Sequence, residues 1–246
     1  MKNLRRQSAF GISLVMLSAL TYFIQVRLFH AGRDTLFYFL QDLAFVPIQI
    51  LLVTVIIDQV LRLREKAAML NKLNMVIGAF FSEAGTHLLK SFSGFDHHAD
   101  RIRPELLVNG KWSDRQFARV VTDLQTYDYR IDVEKNDLGA LKLFLGGKRD
   151  FLLRLLENQN LLEHETFTEL LWAVFHLTEE LEARADVAHL SAVDREHLAG
   201  DVRRAYVILI AEWLGYMKHL KKEYPYLFSL AVRTNPFDEH ASALFQ

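Results

Sequence analysis

Between Asp42 and Asp58 the chain reads LAFVPIQILLVTVII. The run has no formal charge, its only polar side chains are Gln49 and Thr54, and Pro47 lies inside it. Extended back to Leu36, the apolar stretch reaches from Leu36 to Ile57. As helix, at roughly 1.5 Å per residue, it is long enough to cross a bilayer core of roughly 30 Å. A second stretch, QSAFGISLVMLSALTYFIQV, lies without formal charge between Arg6 and Arg27 and is also one hydrocarbon thickness long. A short polar link, HAGRDT at 30–35, joins the two, with Gly32 as its turn residue. The pattern predicts a two-helix transmembrane hairpin over residues 1–61, with spans at about 7–27 and 36–57. A cleaved signal peptide is the competing reading, since Lys2, Arg5 and Arg6 suit its basic start. The first apolar stretch exceeds the roughly 7–15 residues of a signal core, and no A-x-A site follows it.

Lysine and arginine set the expected orientation. Lys2, Arg5 and Arg6 precede the first stretch, and Arg62, Arg64, Lys66 and Lys72 follow the second. The link holds Arg33, with Arg27 at its edge. The excess predicts both termini in the cytoplasm and an inner-membrane, multi-pass location. The acids then become unequal. Fifteen residues separate Asp42 from Asp58, roughly 22 Å of helix, so both cannot sit outside the hydrocarbon core. Asp58 adjoins Arg62 and Arg64 and belongs at the cytoplasmic surface. Asp42 is left about two turns deep, where an ionised group needs a partner or water.

Two readings of Asp42 follow. Gly11, Ser18 and Gln25 recur every seven residues in the first stretch, with Thr21 beside them. Small and hydroxylated residues let membrane helices approach and bond. In an antiparallel hairpin Asp42 lies opposite Tyr22 to Gln25, so Arg27, Gln25 or the Tyr22 hydroxyl can satisfy it. The alternative is a homo-oligomeric cation channel whose pore is lined by Asp42 and Gln49, two turns apart on one face. The preferred class is non-enzymatic: a homo-oligomeric, membrane-anchored sensor or scaffold whose cytoplasmic domain binds a protein partner.

Residues 62–246 read as a cytoplasmic all-α domain. Val60 to Met75 keep one-sided helical spacing with no Pro or Gly before Gly78. LNMVIGAFFSEAGTHLL at 73–89 is too short to span and is expected to be buried in the domain. A polar connector fills 94–110. Ser113 with Gln116 resembles a capping box for a helix to about Asp132, and Asp137 can cap the next to about Asn158, with Gly146 and Gly147 as a weak point. Thr166 with Glu169 forms another box for a helix to about Val187. Asp194 can cap a long helix to Glu223, ended by Pro225.

LNMVIGAFFSE (73–83) and EWLGYMKHLKKEYPYLFSLAVRTNPF (212–237) resemble segments of an uncharacterised family of prokaryotic two-span membrane proteins with a cytoplasmic helical domain. The resemblance implies that layout and carries no activity to any residue.

Motifs that would carry chemistry are few in this sequence. The net charge of −1 gives no basis for general nucleic-acid binding. There is no cysteine, hence no disulfide, thiolate metal site or cysteine nucleophile. No phosphate loop, G-x-S-x-G elbow or H-E-x-x-H motif occurs. No cofactor is implied. Loose acid–histidine groupings give a third reading, a metal-binding helical domain. Its candidates are Glu83 with His87, His176 with Glu180, and Glu212 with His219; Asp96, His97, His98 and Asp100 cluster on the connector. Trp172, Phe175, Trp213 and Tyr216 are read as core aromatics.

Overall fold

A computed structural model describes every residue except 1, 30, 31, 159, 160, 162, 163, 245 and 246; the side chains of 2–11, 14, 29, 32, 35, 66–68, 70 and 71 also lie outside the description. The chain forms two compact units, Met1–Lys66 and Ala67–Gln246. The regular elements of the described residues are all helical, with one isolated antiparallel bridge, Asp96 to Ile131.

The first unit contains α1 (Lys2–Phe29) and most of α2 (Gly32–Phe80). Helix α2 starts at Gly32, so residues 33–35 of the expected link are helical. The rest of that link, His30 and Ala31, lies outside the described residues, as does the side chain of Gly11. One segment of the described residues, Leu36–Glu65, is long and apolar enough to cross a membrane; in α1 the apolar stretch is the shorter Val15–Leu28. From Leu36 to Ile57 the large apolar side chains are 36% to 65% exposed. Pro47 sits inside α2, and Asp58 is paired with Arg62 one turn on, at 2.8 Å.

The second unit begins with the last turns of α2, which the burial of Leu73, Ile77 and Phe80 draws into its core. A single π turn, Phe81–Gly85, follows. Its cause is local: the Thr86 N–H and hydroxyl both bond back to the Phe81 carbonyl. Gly85 fits because a Cβ there would lie 2.6 Å from the Phe81 ring and 2.9 Å from the Phe80 ring. After it come α3 (Thr86–Phe95), the short α4 (Ala99–Ile102) with a 3-10 turn to Leu106, α5 (Asp114–Gln125), α6 (Leu138–Leu156), α7 (Glu165–Ala183), α8 (Ala192–Glu223) and α9 (Pro225–Arg233). Burial of the 73–89 segment matches its expected place in the domain.

Helix α8 is the axis of this bundle. Its residues Leu198, Val202, Ala205, Leu209 and Trp213 recur at helical spacing and are at most 3% exposed. It packs against α3, α5, α7 and α9, while α6 lies along α7. The caps are partly those expected. Ser113 Oγ accepts from Gln116 N–H, and Asp137 Oδ1 accepts from Ala140 N–H. Helix α7, however, is capped by a ring nitrogen of His164, which accepts from Phe167 N–H at 3.2 Å. The Thr166 hydroxyl is turned to Glu212 instead. Helix α8 is capped by Ser191, with Asp194 inside its first turn. Helix α5 stops at Gln125, seven residues short of Asp132, because Tyr127 and Tyr129 leave the helix to pack beside Asp96. Phe175 and Trp213 are buried and Tyr216 is half-buried, but Trp172 is 57% exposed and is no core residue.

Candidate functional site

Helices α7 and α8 each carry a histidine four residues before a carboxylate, His176 with Glu180 and His197 with Asp201. That spacing puts both members of a pair on one helix face. Packing of α7 on α8 turns the two faces together. His176 Nε2 lies 3.6 Å from Asp201 Oδ2, and His197 Nε2 lies 3.4 Å from the same oxygen. Glu180 stands at the edge of the group, 3.4 Å from His197 Nε2 and 3.9 Å from His176 Nε2.

The carboxylates differ in their surroundings. Asp201 is 3% exposed. Its Oδ1 faces Arg204 at 3.3 Å, while Oδ2 accepts no hydrogen bond among the described residues and stands beside the two imidazoles. Glu180 is gripped by Arg184 at 2.6 Å, and Arg184 reaches on to Asp194 at 3.2 Å. The hydrogen bond from Arg184 holds the Glu180 carboxyl below the usual carboxylate range, with the nearby cationic groups adding to it. The imidazoles are about half exposed, at 44% and 49%. A surface hollow of about 360 Å³ opens beside them, lined by Val193, Glu196, His197, Gly200, Asp201 and Arg204.

Of the residues that the sequence singles out as metal ligands, only His176 and Glu180 enter this group. Glu83 is held by Lys148 at 2.8 Å, which lowers its pKa. His87 stacks on Phe144 at 3.9 Å between ring centres, and burial pushes its imidazole down. Glu212 accepts from Thr166 at 2.5 Å. His219 lies against Tyr224, and burial lowers its pKa as well. The connector residues are also engaged: His97 with Asp132 at 2.9 Å, His98 with Asp128 at 3.6 Å, and Asp100 with Arg103 at 3.1 Å. Sequence reasoning missed His197 and Asp201. The signal was a repeated histidine–carboxylate spacing of four, H-x-x-x-E at 176–180 and H-x-x-x-D at 197–201, on consecutive helices.

In the first unit the Tyr22 hydroxyl donates to Asp42 Oδ2 at 3.3 Å, and its ring meets Phe39 edge-on. Arg27 lies over the Phe23 ring at 5.3 Å. Thr21 bonds back to the Leu17 carbonyl at 2.5 Å, Gln25 is half-buried, and Ser18 and Gln49 are exposed. Among the three partners expected for Asp42, the tyrosine is the one in contact.

Residues 69–233 match a family model described as "Uncharacterized protein MJ1433, C-terminal helical domain", and residues 2–61 match "MJ1433, N-terminal helical domain". The chain is 47% identical over 238 residues to the uncharacterized protein MJ1433 of Methanocaldococcus jannaschii, covering 97% of this chain and 96% of that one. No solved structure matches. None of these descriptions names an activity.

Proposed function

The chain belongs to the MJ1433 family, and we propose that it is an inner-membrane protein, anchored by a two-span hairpin of α1 and α2, that holds its helical domain at the cytoplasmic face as a sensor or scaffold. The observation that carries this reading is the apolar segment of α2. Leu36 to Ile57 contains fifteen Leu, Ile, Phe and Val residues, all of them solvent-exposed in the isolated chain. At roughly 0.3–0.6 kcal/mol each on the insertion scale, they favour the bilayer by roughly 5–9 kcal/mol. An acid at the centre of a span opposes insertion by only roughly 3 kcal/mol, and Asp42 lies nearer an end. The apolar side chains thus outweigh a single acid, and Gln41, Pro47 and Gln49 draw on the remainder.

The basic residues around Arg5 and Arg62 support cytoplasmic termini. The Tyr22–Asp42 contact supports an anchor over a pore. A carboxylate that finds a donor within its own hairpin depends less on water or on copies of itself. The domain then works by binding a cytoplasmic protein, and the spans bring copies of the chain together.

Alkaline carbonate washing of membranes tests the anchor. The full chain stays in the pellet, and a chain starting at Ala67 moves to the supernatant. Release of the full chain refutes the reading. Cation flux through vesicles holding the purified protein, lost in Asp42→Asn, replaces the anchor with a channel lined by Asp42 and Gln49.

A further inference from the structure

We propose that His176, His197 and Asp201 bind one divalent transition-metal ion of the zinc class, joining α7 to α8. The site lies wholly within the second unit and holds whether or not the first enters a bilayer. Three observations converge on it.

The first is the stranded oxygen. Asp201 is 3% exposed, yet its Oδ2 accepts no hydrogen bond. A buried carboxylate oxygen without a donor costs several kcal/mol unless a cation faces it. Among the described residues the two Nε2 atoms face it, at 3.4 and 3.6 Å. The three ligand atoms lie within 4.8 Å of one another, so one divalent ion placed between them takes a lone pair from each imidazole and satisfies the oxygen at once.

The second is the spacing. With metal–ligand bonds of roughly 2.0–2.1 Å, the edges of a tetrahedron are roughly 3.3–3.4 Å, and the short edges of an octahedron are roughly 3.0 Å. The two nitrogen–oxygen separations lie closest to the tetrahedral edge. The half-exposed imidazoles are free to close the remaining gap between them.

The third is the donor set and its support. Two imidazoles and one carboxylate favour zinc and its neighbours over calcium or magnesium, which take oxygen ligands. The absence of cysteine removes thiolate competition within the chain. Arg204 holds the other Asp201 oxygen at 3.3 Å and so fixes the carboxylate that ligates. Glu180 stays with Arg184 at 2.6 Å, outside the ligand set. Three protein ligands leave one position for water, and a hollow of about 360 Å³ opens beside two of them, His197 and Asp201. An open position of this kind exchanges its ion, or accepts a donor from a partner, more readily than a closed four-ligand site.

The test uses the full-length protein in detergent, stripped by chelator and dialysed against Zn(II), with Co(II) as the spectroscopic probe. Wild type takes up about one Zn(II) per chain, and Co(II) gives the intense visible bands of a four-coordinate ion. His176→Ala and His197→Ala sit on half-exposed side chains and leave no core cavity. Each lowers Zn(II) affinity by about 100-fold or more, beyond what an outer-shell change causes. Wild type melts at a higher temperature with Zn(II) than without it, and neither variant does. The proposal is overturned if wild type, folded by circular dichroism, binds neither ion, or if the His176→Ala/His197→Ala double variant binds both as wild type does.

Discussion

Removing the carboxylate of Asp96 is the sharpest perturbation of the second unit. The residue is fully buried, at 0% exposure. Its Oδ1 accepts from the backbone N–H of His98 at 2.9 Å and of Arg130 at 3.2 Å, and its Oδ2 accepts from the Tyr127 hydroxyl at 2.8 Å. These bonds fasten the 127–132 segment against the end of α3, beside the backbone bonds His97 N–H to Arg130 O and Asp132 N–H to Phe95 O. Asp96→Ala leaves three part-buried donors without their acceptor. Each stranded donor costs about 1–3 kcal/mol, offset in part by no longer burying a charge, so the expected net loss is about 3–5 kcal/mol. Asp96→Asn keeps the shape: its amide oxygen can take both N–H groups, and its NH₂ can donate to the tyrosine oxygen. That variant loses about 1–2 kcal/mol. For a unit of this size each kcal/mol moves the melting temperature by about 2–4 °C. Thermal melts of the detergent-solubilised protein, run at one scan rate, therefore show Asp96→Ala at least about 6 °C below wild type, with Asp96→Asn between them. A shift under about 2 °C for Asp96→Ala, or equal shifts for both variants, refutes the account of this network.

Further outcomes follow from other positions. Gly85→Ala pushes a methyl group against the Phe80 and Phe81 rings and lowers stability by about 1–3 kcal/mol, read as a lower melting temperature. Gly147→Ala meets nothing within 4 Å inside α6 and raises stability by up to about 1 kcal/mol in the same melt. Burial, with Asp96 nearby, holds the phenols of Tyr127, Tyr129 and Tyr206 above their ordinary range. Their unfolded forms ionise near pH 10 while the folded forms keep the proton. Stability is thus whole below about pH 10 and falls above it, by about 1.4 kcal/mol per pH unit for each of Tyr129 and Tyr206. Melting temperatures that stay flat between pH 9.5 and pH 11 contradict this, all values here being about those at which model phenols titrate.

Much of the helical layout was legible because it is written in local chemistry. Ser113 and Asp137 announce α5 and α6 through side chains that reach their own backbone, and Pro225 marks the end of α8. Errors arise where a distant partner outbids the local one. Thr166 has the right spacing for a cap, but the Glu212 carboxylate on α8 takes its hydroxyl and His164 caps instead. Helical periodicity continues past Gln125, yet the Asp96 carboxylate and the core draw Tyr127 and Tyr129 out of the helix. The π turn rests on the Thr86 N–H and hydroxyl both reaching the Phe81 carbonyl and leaves no trace in composition. The His–Asp group was half legible for the same reason. Each histidine–carboxylate pair is visible along its own helix, but which two helices face each other is decided by the core of α7 and α8.

The proposed membrane hairpin would hold the helical domain at the cytoplasmic face. The chain has no native cysteine, so single introduced thiols report their own side of the membrane. Asp34→Cys marks the link between the spans, and Leu244→Cys marks the tail, where the side chain is 78% exposed. With a membrane-impermeant maleimide on intact spheroplasts, the account predicts labelling at position 34 and protection at 244 until the cells are lysed. Labelling at 244 on intact spheroplasts, or protection at 34 that ends only on lysis, contradicts it.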